Sequence, residues 1–239
     1  MAMIELVKLI LAHLIGDFVL QPKSWVEEKN RKGVKSFRLY VHGLVHGGLV
    51  WLFLWDPTGW IPAAVLAAMH ILIDIMKVYA RKNSVETRWF LIDQLLHLLS
   101  ILVVWYLFFT PGTLSFDLFA RADVWVYLTA LVFLTAVCGI IIQVVLGNWA
   151  KSIESMRDAS LPNAGKYIGI LERLLVFVFV VSGHWEAIGF LVAAKSVFRF
   201  GDLKDSRDRK LTEYFLIGTL LSFGIAIVTG IIVAAVTAA

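Results

Sequence analysis

Long apolar runs alternate with short polar loops from one end of the chain to the other. A bilayer span takes roughly 17–25 mostly apolar residues. On that measure the pattern predicts helices at about Met3–Leu20, Phe37–Leu54, Trp60–Tyr79, Trp89–Thr110, Val124–Leu146, Lys166–Ser182, Glu186–Phe200 and Tyr214–Val236. The seventh is short, and reads as a tilted span or a re-entrant segment. No stretch shows the repeated short alternation of barrel strands. The expected fold is therefore all-α, a polytopic transmembrane helical bundle of about eight spans.

Composition agrees: 59% of the residues are hydrophobic and the mean hydropathy is +0.80, well above an ordinary soluble domain. The first apolar run holds Glu5, Lys8, His13 and Asp17 and lacks a basic start and a small-residue cleavage site. It reads as a retained helix and not a signal peptide. Cys138 is the single cysteine, so no intrachain disulfide and no thiolate metal cluster can form. It sits in an apolar run as a packing or lipid-facing residue.

The net charge of +4 matters through its distribution. The first, third and seventh loops, "QPKSWVEEKNRKGVKSFR", "KVYARKNSVETR" and "RFGDLKDSRDRK", are rich in Lys and Arg, and the fifth has a basic excess. The second and sixth, "DPTG" and "GHWE", carry neither, and the fourth holds one Arg. Basic loops stay in the cytoplasm, so the alternation implies odd loops inside and both termini outside. Trp51, Trp55, Trp60, Trp105 and Trp185 fall near the outer boundaries, as interfacial belts do. The basic residues flank membrane segments, which argues against a nucleic-acid partner. The partner is the lipid bilayer. Function divides the chain into a four-helix His/Asp bundle over 1–111, a fifth span and cytoplasmic connector over 112–164, and C-terminal membrane helices over 165–239.

Against this apolar background one pattern stands out. Each of the first four helices carries one pair, four residues apart, drawn only from His and Asp: His13/Asp17, His42/His46, His70/Asp74 and Asp93/His97. Residues four apart share a helix face. Given the alternating helix directions, all four pairs fall at a similar depth in the cytoplasmic half of the bilayer, where four helices can aim them at one centre. A lone intramembrane histidine is usually packed or hydrogen-bonded, and Asp and His can serve as polar glue between helices. Eight ionisable groups, each costing about 2.5–3.5 kcal/mol to insert, are hard to explain as packing. Nitrogen and oxygen ligands without thiolate favour zinc, with manganese or iron as alternatives. Eight candidates exceed one tetrahedral site, so either two metals share them or some aspartates orient ligand histidines from behind. Gln21 and Gln94 are placed to hydrogen-bond the ligands. Asp17, Asp74 or Asp93 would be ligand or general base, and Lys77 would meet developing negative charge.

These strings also carry a resemblance. "AHLIGDFVLQ" with its lysine-rich loop, then "HGLVH", "HILIDIMK" and "LIDQLLH", resembles a bacterial multispanning membrane family known as domain of unknown function 3307, over residues about 3–108. A looser similarity, to bacterial inner-membrane proteins described as metal-dependent hydrolases, implies a reaction class by analogy only.

The C-terminal half has its own charged candidates. Glu172 and Arg173 lie within the sixth span, Lys195 and Arg199 stand four apart in the seventh, and Glu213 opens the eighth. Like charges on one face repel unless an anion intervenes. Arg173, Lys195 and Arg199 are therefore expected to bind an anion such as phosphate, with Glu172 and Glu213 balancing charge. The plainer alternative is that the cations snorkel to the interface. His184, in a short outer loop, reads as a surface residue.

Three functions fit. One is a membrane metal-dependent hydrolase of a phosphate- or acyl-bearing, lipid-like substrate. Another is a metal-ion or proton transporter, for which intramembrane His and Asp are natural, although outer-half stretches such as "LVWLFLW" and "VVWYLFF" carry no charge. The third is a metal-stapled scaffold or sensor without catalysis. Oligomeric state is open.

Overall fold

The structure, a computed structural model, describes residues 2–80, 86–109, 122–153, 163–200 and 206–238. Parts of the third, fourth, fifth and seventh loops lie outside them, as does Thr110 at the end of the fourth expected span. The described residues form ten α-helices and no strand: α1 (Ala2–Phe18), α2 (Lys23–Lys32), α3 (Phe37–Leu54), α4 (Trp60–Ala80), α5 (Glu86–Phe108), α6 (Ala122–Val132), α7 (Cys138–Ile153), α8 (Ala164–Val181), α9 (Trp185–Phe200) and α10 (Ser206–Thr237). A π-turn over Phe133–Val137 joins α6 to α7. Among the described residues, five stretches are long and apolar enough to cross a membrane: Phe37–Leu54, Pro57–Ala80, Arg88–Phe108, Asp123–Gly147 and Lys210–Thr237. The other three expected spans, α1, α8 and α9, are shorter or more charged: α1 and α9 have 17 and 16 residues, and α8 holds Lys166, Glu172 and Arg173.

One element differs from the expected loops. The first loop contains α2, built from good helix formers and stopped by Gly33, whose φ of 59° suits a residue without a Cβ. The turn between α3 and α4 follows its sequence closely. The Asp56 side chain accepts hydrogen bonds from the Thr58 backbone N–H and hydroxyl, both at 2.6 Å. These bonds hold the Asp56 carboxyl below its ordinary pKa.

The chain divides into two compact units, Met1–Thr129 and Ala130–Ala239. In the first, α1 packs on α3 and α5, α3 on α4, and α4 on α5, closing a ring of four helices, with α2 against α3. Leu9, Ala12, Val50, Leu54, Ala63, Leu66, Ile101 and Val104 form a buried apolar layer. These residues precede the His/Asp pair in α1 and α4 and follow it in α3 and α5. Because neighbouring helices run in opposite directions, the apolar layer takes one end of the ring and the polar pairs take the other. Outward-facing side chains are large and apolar, such as Leu44, Leu72, Leu95 and Tyr106, as expected of a surface that meets lipid.

The α3–α4 contact rests on small residues. A Cβ at Gly47 would lie 3.1 Å from the Ala67 Cβ and 3.3 Å from the Ala63 carbonyl, and one at Gly43 would collide with the Ile71 side chain. Glycines four apart facing alanines four apart let two apolar helices approach closely. In the second unit α8 and α7 both pack on α10, and α9 on α8. Cys138 is buried there, so it packs inward and does not face lipid.

The close α3–α4 approach predicts that Gly43→Val will destabilise the protein by about 1–3 kcal/mol through overpacking. A thermal melt of the detergent-solubilised chain would measure this, and an unchanged midpoint would contradict the packing described.

Candidate metal centre

The helix ring brings all eight sequence-selected residues into one cluster. His13, His42, His46, His70, Asp74, Asp93 and His97 are buried, and the Asp17 side chain is about one-tenth exposed. Three overlapping ligand groups result: His13, Asp17, His46 and His70; His42, His70 and Asp74; and Asp17, Asp93 and His97. In each, one ligand atom per residue lies within 4.8 Å of the others.

Asp17 is the hub. Its Oδ1 stands 3.0 Å from His42 Nε2, 3.1 Å from His46 Nε2 and 3.4 Å from His70 Nε2. Its Oδ2 accepts a 3.0 Å hydrogen bond from the Gln94 amide and lies 3.9 Å from His13 Nε2. Gln94 also stands 3.3 Å from His13 Nε2 through its Oε1. Gln21 reaches the cluster too, 2.6 Å from His42 Nε2. Both glutamines therefore touch ligand candidates. Gly16 makes the approach of α1 to α3 possible, because a Cβ there would run into the His46 ring. Nothing in the hydropathy pattern marks that glycine.

Hydrogen bonding alone does not account for this crowding. His42 Nε2 has three polar atoms within 3.0 Å: Asp17 Oδ1, His70 Nε2 and the Gln21 amide nitrogen. A neutral imidazole nitrogen offers one proton or one lone pair. Four ligands about 2.0–2.1 Å from a zinc ion at tetrahedral angles stand roughly 3.3 Å apart. The Asp17–histidine distances have that scale, so the residues present fit a divalent metal. A cavity of about 20 Å³ lies beside His13, His46, His70 and His97, lined also by Leu9, Val50 and Leu66. It is large enough for one water.

Two lysines complete the cluster. Lys77 donates to Asp93 Oδ2 at 2.6 Å, so the anion it meets in the structure is that aspartate. Lys29, on α2, donates to Asp74 Oδ2 at 2.5 Å, and both side chains are only 6% exposed. Lys29 is absent from the sequence-selected residues because its segment has the composition of a polar loop. The signal was its place three and four residues beyond Val26 and Trp25, one stripe of a short amphipathic helix. Lys8 is a further fully buried cation, 3.7 Å from Glu5 and over the Trp125 ring.

The C-terminal candidates lie in the second unit. Arg173 is buried, and donates through Nε to the Leu134 carbonyl at 2.7 Å and through Nη1 to Ser222 Oγ at 3.3 Å. Lys195 donates to Glu172 at 2.6 Å and lies over the Phe223 ring. Glu172 thus balances Lys195, and Glu213 is exposed near the start of α10. The Arg199 side chain is outside the described residues. His184 is exposed, with Nδ1 2.9 Å from Ser182 Oγ.

A family model described as "protein of unknown function (DUF3307)" matches residues 5–127, just over half of the chain and all eight clustered residues. No curated protein and no solved structure matches the chain.

The Lys29–Asp74 pair yields a sharp expectation. Lys29→Met leaves a buried carboxylate without its cation and should cost about 3–5 kcal/mol. Adding Asp74→Asn should restore most of that loss. Denaturation midpoints of the single and double variants measure the coupling, and additive losses would mean the two side chains do not interact.

Proposed function

The chain belongs to the DUF3307 family, and from that premise we propose that it is an integral membrane protein whose first four membrane helices hold a divalent metal that activates water for hydrolysis. The observation that carries the metal is the overcrowded His42 Nε2, with more polar neighbours than one ring nitrogen can hydrogen-bond. Zinc is the first candidate and manganese or iron the alternatives, because every ligand is nitrogen or oxygen. The water-sized cavity beside four histidines supports catalysis over a purely structural site, since a catalytic metal keeps a position for water.

That cavity takes a water and not a substrate. The bond to be cut must then approach from the rim, where the Asp17 side chain is 10% and the Lys77 side chain 26% exposed. A phosphate- or acyl-bearing, lipid-like compound at the cytoplasmic surface suits that geometry. Asp17 acts as ligand. Asp74 and Asp93, each with one oxygen on a lysine, act as ligand or base through the other, and Lys77 adds positive charge at the rim. Transport would need a route through the buried layer of Leu9, Val50, Leu66 and Val104, and that layer favours hydrolysis over conduction.

The membrane arrangement proposed is eight spans, α1, α3, α4, α5, α6 with α7, α8, α9 and α10, with both termini outside a bacterial inner membrane. Its support is the alternation of basic loops. Cysteine labelling in "KNRKGVK" and "DSRDRK" should report cytoplasm. Reaction with an impermeant reagent from outside would overturn the orientation.

Metal analysis tests the centre itself. The purified chain should carry stoichiometric metal. Readdition to chelated protein at a hundred times Kd should stabilise it by about 2.7 kcal/mol. His46→Ala should lower bound metal while the protein still inserts. Absence of bound metal, with no stabilisation by zinc, manganese or iron, would sink the proposal.

A further inference from the structure

The ligand positions around Asp17 do not fill one coordination sphere; they fall on two sides of its carboxylate. Oδ1 faces His42, His46 and His70. Oδ2 faces Gln94, whose amide nitrogen also stands 3.3 Å from Asp93 Oδ2, so on this side Asp17 looks toward Asp93. There Asp17, Asp93 and His97 form a ligand group of their own.

Two atoms of that group are without a hydrogen-bond partner. Asp93 Oδ1 and His97 Nε2 are both buried and unpartnered, on side chains each 2% exposed. They stand 3.5 Å apart, longer than the roughly 2.7–3.2 Å usual for an N–H···O hydrogen bond. Leaving a buried carboxylate oxygen and a ring nitrogen unsatisfied is expensive. The separation matches the edge of a metal's coordination polyhedron, roughly 3.3 Å. Lys77 on Asp93 Oδ2 fixes the carboxylate so that Oδ1 is turned toward His97.

We infer that the bundle holds a second divalent metal between Asp93 Oδ1 and His97 Nε2, bridged to the first by the Asp17 carboxylate. This rests on the metal reading of the first site. Oδ1 of Asp17 serves the ion held by His46 and His70, a group that His13 completes, and Oδ2 serves the ion held by Asp93 and His97. His13 stands beside both groups, its ring 5.6 Å from the His46 ring and 5.1 Å from the His97 ring. Carboxylate-linked pairs of this kind place the ions about 3.5–4 Å apart. Two divalent ions and two lysines against three aspartates leave the centre positive. In a poorly solvated site that charge requires an anionic oxygen ligand, which agrees with a hydroxide at rest and a phosphate-class substrate in use.

Metal counting on the full chain in detergent separates this inference from the reading beneath it. Chelated wild type is reloaded with manganese and desalted. Bound metal is then measured by elemental analysis, and the spectrum by electron paramagnetic resonance. Two ions per chain with an exchange-coupled signal are expected. His97→Gln and Asp93→Asn should each retain one ion and show an uncoupled signal, at a far-ultraviolet helix content equal to wild type. One ion in wild type that survives both substitutions overturns the second site and leaves the first standing. Two ions in the folded variants also overturn it, because the positions named would not be the ligands. No bound ion in wild type overturns both.

Discussion

Everything in the first unit depends on compensating ionisable side chains where water is scarce. Eight His and Asp side chains meet inside four apolar helices, and each would cost insertion energy if left alone. The bundle answers with convergence. Asp17 gathers three ring nitrogens on one oxygen and Gln94 on the other, and Lys29 and Lys77 each take one oxygen of a further aspartate. What remains is an excess of lone pairs directed at each other, the condition a cation relieves.

The same compensation explains why the unit is built from two unlike ends. The layer around Leu9, Val50, Leu66 and Val104 provides apolar burial and excludes water. The polar end cannot stabilise the bundle in that way, since a buried charge network contributes little net stability and mainly selects one arrangement. Close packing then sets how precisely the ligands are held. Gly16 lets α1 reach the His46 ring, and Gly43 and Gly47 let α3 reach α4.

The second unit handles one buried cation differently. Arg173 has no carboxylate hydrogen-bonded to it among the described residues; it donates to the Leu134 carbonyl within the π-turn and to Ser222. A π-turn departs from the α-helical hydrogen-bond register, and such turns free backbone groups for outside partners. Cys138 and Arg173 are both buried in this unit. The neighbouring charges, Glu172 and Lys195, satisfy one another at 2.6 Å.

By itself the sequence determined the all-helical class, the apolar segments and the four pairs at a spacing of four, because hydropathy and helical periodicity are local properties of the chain. It also indicated that the pairs would share a depth, since successive spans alternate in direction. Which atoms meet was decided only by tertiary structure. That Asp17 is the hub, that Lys77 is held by Asp93, that Lys29 on an unanticipated helix closes on Asp74, and that Asp93 Oδ1 faces His97 all depend on helix rotation and on contacts between residues up to 81 positions apart. The physical reason is that periodicity places a residue on a face, whereas a hydrogen bond or a metal ligand demands placement within a few tenths of an ångström. Only the packing of the four helices against one another supplies that.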